Sequence, residues 1–104
     1  MCRKGVAAVD AGKLDLRGEI DIDVSEAVRE RVLRAVRDAA GQPVVIDMAE
    51  VSFIDSSGLS ALVAGLRLAH GHGGDLRLVN VGSKIRRIFE VTGLAEQFGV
   101  DGRA

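Results

Sequence analysis

Aromatic residues are nearly missing from this chain: it has no Trp, no Tyr and only 3 Phe in 104 residues. Its core must therefore be filled by Val, Leu, Ile and Ala. A single cysteine, Cys2, excludes an intrachain disulfide and a Cys-rich metal centre. Charge of one sign is lacking as well. With 14 Lys and Arg against 15 Asp and Glu, the formal net charge of −1 gives no overall attraction to nucleic acid or anionic membranes. No apolar run reaches the length of a membrane span, and no apolar stretch follows the basic start Met1-Cys2-Arg3-Lys4 as a secretory signal requires. The expected compartment is the cytoplasm.

What is present is ordinary for a globular protein: 47% apolar and 28% charged residues. The length suits one domain, residues 1–104. Val6 to Val9 reads as a short strand. Leu14, Leu16, Ile20 and Ile22 alternate with Asp15, Arg17, Glu19 and Asp21, the period of a half-buried strand. Asp10-Ala11-Gly12-Lys13 suits the hairpin between the two, and Gly18 marks a bulge or a close backbone approach. Asp23 or Ser25 is expected to cap a first helix, with Glu26 in its first turn. Val28, Val32, Ala35, Val36 and Ala39 form its apolar stripe, and Gly41 and Pro43 stop it.

Val44 to Ile46 reads as a strand covered on both faces, as in parallel sheets. A second helix is expected from Ser56 or Ser57 to His70, closed by Gly71, Gly73 and Gly74. Leu76 to Val81 follows as a strand. Ser83 caps a third helix through Ile85, Ile88 and Phe89 that Gly93 ends, and Leu94, Phe98 and Val100 suggest one more short element. The order β-β-α-β-α-β-α predicts an α/β fold, a mixed sheet of four to five strands with helices packed on it through right-handed crossovers.

Chemistry concentrates at Asp55-Ser56-Ser57-Gly58, where the third strand gives way to the second helix. A helix N-terminus carries unpaired N–H groups and the positive end of the dipole, so a phosphate on a serine there is locally favoured. Ser56 is the better placed of the two to cap. With Leu59 at zero and about 100° per residue, Leu62, Val63 and Leu66 define the expected core face. Ser57, Ala61, Ala64 and Leu68 then fall roughly opposite, as an outward strip for a partner, with Gly65 at its edge allowing close approach.

Other chemistry is weakly supported. No Gly-x-Ser-x-Gly elbow is present, and His70 and His72 lie at the far end of the helix that begins at Ser57, roughly 20 Å away. A small serine enzyme therefore lacks its base. His70-Gly71-His72 has no acidic or cysteine ligand nearby in sequence, so no metal is expected and a favourable helix C-terminal cation is the better reading. Gly71 to Gly74 lies between helix and strand, the reverse of a phosphate-binding loop, and reads as a turn. Lys84, Arg86 and Arg87 crowd the start of the third helix, against its dipole, and are too few to suggest nucleic-acid binding.

Gly18-Glu19-Ile20-Asp21, Val45-Ile46-Asp47, Phe53-Ile54-Asp55-Ser56-Ser57-Gly58-Leu59 and Ile88-Phe89…Thr92-Gly93-Leu94 together resemble the STAS domain. The likeness is to the bacterial anti-sigma factor antagonists of the sporulation and stress-response type, over roughly Val6 to Val100. It implies a binding switch in transcription regulation, not an enzyme, with no catalytic residues and no cofactor. In such proteins the second serine of Asp-Ser-Ser-Gly, here Ser57, is phosphorylated by an anti-sigma factor that is itself an ATP-dependent serine kinase. The unphosphorylated form binds that kinase and frees the sigma factor, and a serine phosphatase resets the switch. The partner surface so implied comprises Asp21, Asp55, Ser56, Ser57 and Gly58, joined by the strip Ala61, Ala64 and Leu68. Ile20 stands where Leu is usual, and residues 101–104 leave no room for the further C-terminal helix that many relatives carry. The alternative is a STAS subunit that regulates a transporter ATPase or another signalling complex without phosphorylation.

Overall fold

The computed structural model describes the backbone of residues 5–10 and the whole of residues 13–100. Residues 1–4, 11–12 and 101–104, which include Cys2 and the Ala11-Gly12 part of the expected hairpin connection, lie outside the described residues. Strand β1 (Gly5–Asp10) pairs antiparallel with β2 (Lys13–Ile20). Helix α1 (Ile22–Ala39) then leads to β3 (Val44–Ile54), α2 (Ser56–Gly71) to β4 (Leu76–Val79), and α3 (Ser83–Val91) follows. The sheet order is β1-β2-β3-β4, and β3 is parallel to both β2 and β4. This is the expected mixed α/β architecture.

Both crossovers step the same way across the sheet. Right-handed β-α-β connections that progress in one direction place their helices on one face, and α1 and α2 accordingly pack against each other. The inward strand positions are Leu14, Leu16, Val44, Ile46, Met48, Leu76 and Leu78, all buried. On the other face Asp15, Arg17, Val45 and Asp47 are half-buried, while Arg77 and Val79 are exposed. The expectation that β3 is covered on both faces is therefore corrected: this parallel sheet carries α1 and α2 on one side.

β3 is also far longer than Val44–Ile46. It continues through Asp47-Met48-Ala49-Glu50-Val51-Ser52-Phe53 to Ile54. Twice it takes one more residue than β2 over the same span, between Asp15 and Arg17 and between Gly18 and Glu19. These bulges break the two-residue period that would have revealed the strand. Gly18 sits at the second with φ +74 and nothing within 4 Å of an added Cβ, so its role is the backbone angle and not a close approach.

Helix boundaries shift in small, explicable ways. The cap of α1 is Asp21, whose Oδ1 accepts from the Asp23 amide at 3.0 Å, not Asp23 or Ser25. Ile22, expected inside the strand, is instead the first residue of α1 and 71% exposed. Gly82, extended at φ −65 and ψ 160, precedes α3, so Ser83 is helical and does not cap. Beyond α3 the expected extra element is a run of turns. Phe98 and Val100 are nevertheless buried there. The Phe98 carbonyl accepts from the Leu78 amide at 2.9 Å, and its ring meets Phe89 edge-on at 5.5 Å.

Candidate functional site

Strands β2 and β3 run parallel and finish level, with Ile20 paired to Ile54. Each is followed by an aspartate that caps a helix. The two corners share one backbone conformation, φ −113 and ψ −170 at Asp21 against φ −115 and ψ −171 at Asp55. They are also joined, because the Asp55 amide donates to the Ile20 carbonyl at 3.2 Å. The candidate site thus lies at the C-terminal ends of parallel strands, where open α/β sheets present their ligand-facing loops.

At the second corner Asp55 Oδ1 accepts from the amides of Ser57 at 2.9 Å and Gly58 at 3.1 Å. The cap is therefore Asp55, and the assignment of that role to Ser56 is corrected. A carboxylate one residue earlier reaches both free N–H groups and adds a full charge to the dipole interaction. Ser56 is left exposed as the first helical residue, and Ser57, the second, is half-buried. Among the described residues neither hydroxyl is engaged in a hydrogen bond.

Gly58 has a steric reason to be glycine. An added Cβ would stand 2.7 Å from the Ile20 carbonyl oxygen and from Ile54 Cγ1, and 2.8 Å from Ile20 Cγ2. The first turn of α2 therefore rests directly on the end of β2. Ser57 faces the cleft between α1 and α2, a groove of ≈ 210 Å³ lined by Ser25, Glu26, Arg29, Ser57, Ser60 and Ala61. Near this edge two large apolar side chains lie open, Ile22 at 71% and Phe53 at 47%. Sequence reasoning missed both as surface residues. The signal was available at Ile22, which follows the capping Asp21.

The phase of α2 differs from the sequence expectation. Its buried residues are Gly58, Ala61, Leu62, Gly65, Leu66 and Ala69. Taking Leu and Val as core markers turned the expected core face by about 90°. The outward placement of Ala61 is corrected: it is 3% exposed and lies beside α1 at the Ser57 groove. Ala64 and Leu68 are half-buried along the α1–α2 seam. Gly65 admits the other helix, since a Cβ there would clash with Val32 Cγ1. The close approach its smallness allows is thus made by α1.

The histidines belong to the other end of α2. His70 Nε2 lies 3.3 Å from Asp75 Oδ1, and neither histidine lines the Ser57 groove. No group of three or more potential metal ligands occurs among the described residues. No described helix is long and apolar enough to cross a membrane.

The antiparallel β1–β2 pair, the parallel strands beside it and the helices on one face agree with the fold expected of a STAS domain. The STAS domain family model matches residues 6–102, and the chain belongs to that family. Among its relatives is the anti-sigma-B factor antagonist of Bacillus subtilis, 27% identical over 92 residues that span 88% of this chain and 83% of that protein. The crystal structure of an anti-sigma factor antagonist from Mycobacterium paratuberculosis superposes with a TM-score of 0.73 at 30% identity, covering 89% of this chain and 79% of that one. The anti-sigma factor antagonist SpoIIAA shares the fold at 24% identity, with TM-scores of 0.72 unphosphorylated and 0.65 phosphorylated. The two alignments cover 88% of this chain and 82% and 85% of SpoIIAA.

Proposed function

We propose that this chain is an anti-sigma factor antagonist whose affinity for its partner is set by a phosphate on Ser57. One observation carries the reading. Ser57 is half-buried at the second position of α2, its amide is held by Asp55, and its edge of the fold exposes Ile22 and Phe53. A partner that covers those side chains desolvates the place where a phosphate would sit. The partner is an anti-sigma factor acting as a serine kinase, with a serine phosphatase to reverse it, in the cytoplasm. Asp21, Ser56 and Ser57 meet the partner at the corners, with Ala64 and Leu68 at the margin. Asp55, Gly58 and Ala61 act from beneath by holding the corner in place.

A phosphoserine adds about −1.5 to −2 charges at neutral pH. An unmatched charge of that size at a desolvated contact costs several kcal/mol, hence roughly a hundredfold or more in affinity. The dipole of α2 stabilises the same phosphate in the free protein, so the switch needs no refolding. That SpoIIAA keeps this fold in its phosphorylated form supports the point.

The test titrates four forms against the ADP-bound kinase recovered on immobilised unphosphorylated protein. Ser57→Ala should bind like the unmodified chain, Ser57→Asp more weakly, and protein carrying phosphoserine at 57 roughly a hundredfold more weakly. Equal affinity of the phosphorylated and Ala forms would overturn the switch. Recovery of a transporter ATPase, indifferent to the phosphate, would establish the regulatory-subunit reading instead.

A further inference from the structure

A groove of ≈ 590 Å³ runs along the α1–α2 seam. Its floor is apolar and half-buried: Leu33, Val63, Ala64 and Leu68. Its rim carries three exposed arginines, Arg29, Arg37 and Arg67, and no described carboxylate lines it. The ion pairs among the described residues, His70 with Asp75 and Arg86 with Glu90, involve none of the three. In a chain of net charge −1 this is a local excess of one sign. Arg29 and Ser60 also line the Ser57 groove, so the two grooves are continuous.

We infer that the arginine-rimmed seam between α1 and α2 seats an acidic amphipathic helix of the protein partner. Charge complementarity selects that occupant. Guanidinium groups hold carboxylates through paired N–H donors, and the apolar floor takes the leucine-like side chains on the same helix face. The dimensions agree: Arg29 and Arg37 lie eight residue steps apart on α1, about 12 Å, which a partner helix spans in little more than two turns. A nucleic acid would draw on the arginines but leave the floor uncovered. A second copy of this chain would bring its own three arginines against these, placing like charges opposite one another. The inference rests on the proposed antagonist reading only in taking the partner to be a protein. It adds where that partner's acidic segment lies and ties the segment's seat to Ser57 through Arg29.

The probe is a labelled synthetic helical peptide of about four turns, with leucines along one face and glutamates flanking them, against the same peptide with Gln for Glu. Fluorescence anisotropy at low salt should show the Glu peptide binding at least about tenfold tighter, and that advantage should fade as added salt shortens the screening length to ~3 Å. The double variant Arg37→Gln/Arg67→Gln should weaken the Glu peptide about tenfold. Lys84→Gln/Arg87→Gln, at the separate groove on α3, should leave it unchanged. All of these side chains lie at the surface, and an unchanged melting temperature in each variant verifies the fold. Equal affinity for the two peptides, an equal loss in the α3 variant, or displacement of the peptide by a short DNA duplex at matched charge would overturn the inference. In the kinase titration the Arg37→Gln/Arg67→Gln protein should bind about tenfold more weakly while its response to the Ser57 phosphate is preserved. A phosphate effect intact with no arginine effect refutes the seam alone. The loss of both indicts the antagonist reading.

Discussion

Replacing Asp55 with alanine should be the most damaging single change at the corner. Its carboxylate accepts from two amides, at 2.9 and 3.1 Å, that no other described group satisfies. Loss of a side-chain cap costs about 0.5–2 kcal/mol. Loss of the negative charge at the dipole adds roughly 0.3–1 kcal/mol. α2 packs on α1 and starts on the end of β2, so its first turn cannot fray without exposing Gly58 and Ile20, and the upper part of the range applies. The expected loss is about 2 kcal/mol, which for a domain of this size lowers the melting temperature by roughly 10 °C. Asp55→Asn keeps an acceptor and should lose less than half as much. Ser56→Ala removes an exposed hydroxyl with no partner among the described residues and should stay within about 0.5 kcal/mol of the parent. Urea unfolding followed by far-ultraviolet circular dichroism measures all three. A Ser56→Ala loss as large as that of Asp55→Ala would show that the serine is the cap after all.

Gly65→Ala should cost about 2 kcal/mol despite its better helix propensity, because the new methyl meets Val32 Cγ1 and lies 3.1 Å from Leu76 Cδ1. Adding Val32→Ala should recover part of that loss, and a double-mutant cycle with no coupling would sink the steric account. Ala61→Arg should destabilise by at least about 3 kcal/mol, since it forces a charge into a position only 3% exposed. An unchanged melting temperature would restore the outward strip expected from sequence. The phosphoserine titration completes the set by reading affinity where the others read stability.

The sequence made the order of elements legible because α1 and the strand at Leu14–Ile20 carry clean periods and Val44–Ile46 is an unbroken apolar run. It obscured the rest of β3 because two bulges reset the alternation within seven residues of Ile46. The orientation of α2 was hidden for a different reason. Its buried face includes Ala61 and Gly65, the latter against Val32 of α1, and hydrophobic pattern reasoning does not score such small residues although they let two helices approach closely. Ser83 and Ser56 illustrate a third limit. A serine at a helix start is a permissible cap, and whether the preceding residue takes that role is decided by backbone angles that the local sequence leaves open.

The pairing of Ile20 with Ile54 sets a ruler at the site. Adjacent strands stand ~4.8 Å apart, and the two capped corners leave the sheet from neighbouring strands in the same conformation. Their separation is thus inherited from the backbone ladder and not from any side chain at the surface. With Gly58 pressed onto the Ile20 carbonyl, neither corner can drift relative to the other without unpairing the strands beneath. The exposed side chains at this edge, Ile22 and Phe53, can therefore change without moving either corner. On the proposed reading, partner choice falls to the identity of side chains such as Ile22 and Phe53 and not to the spacing of the corners.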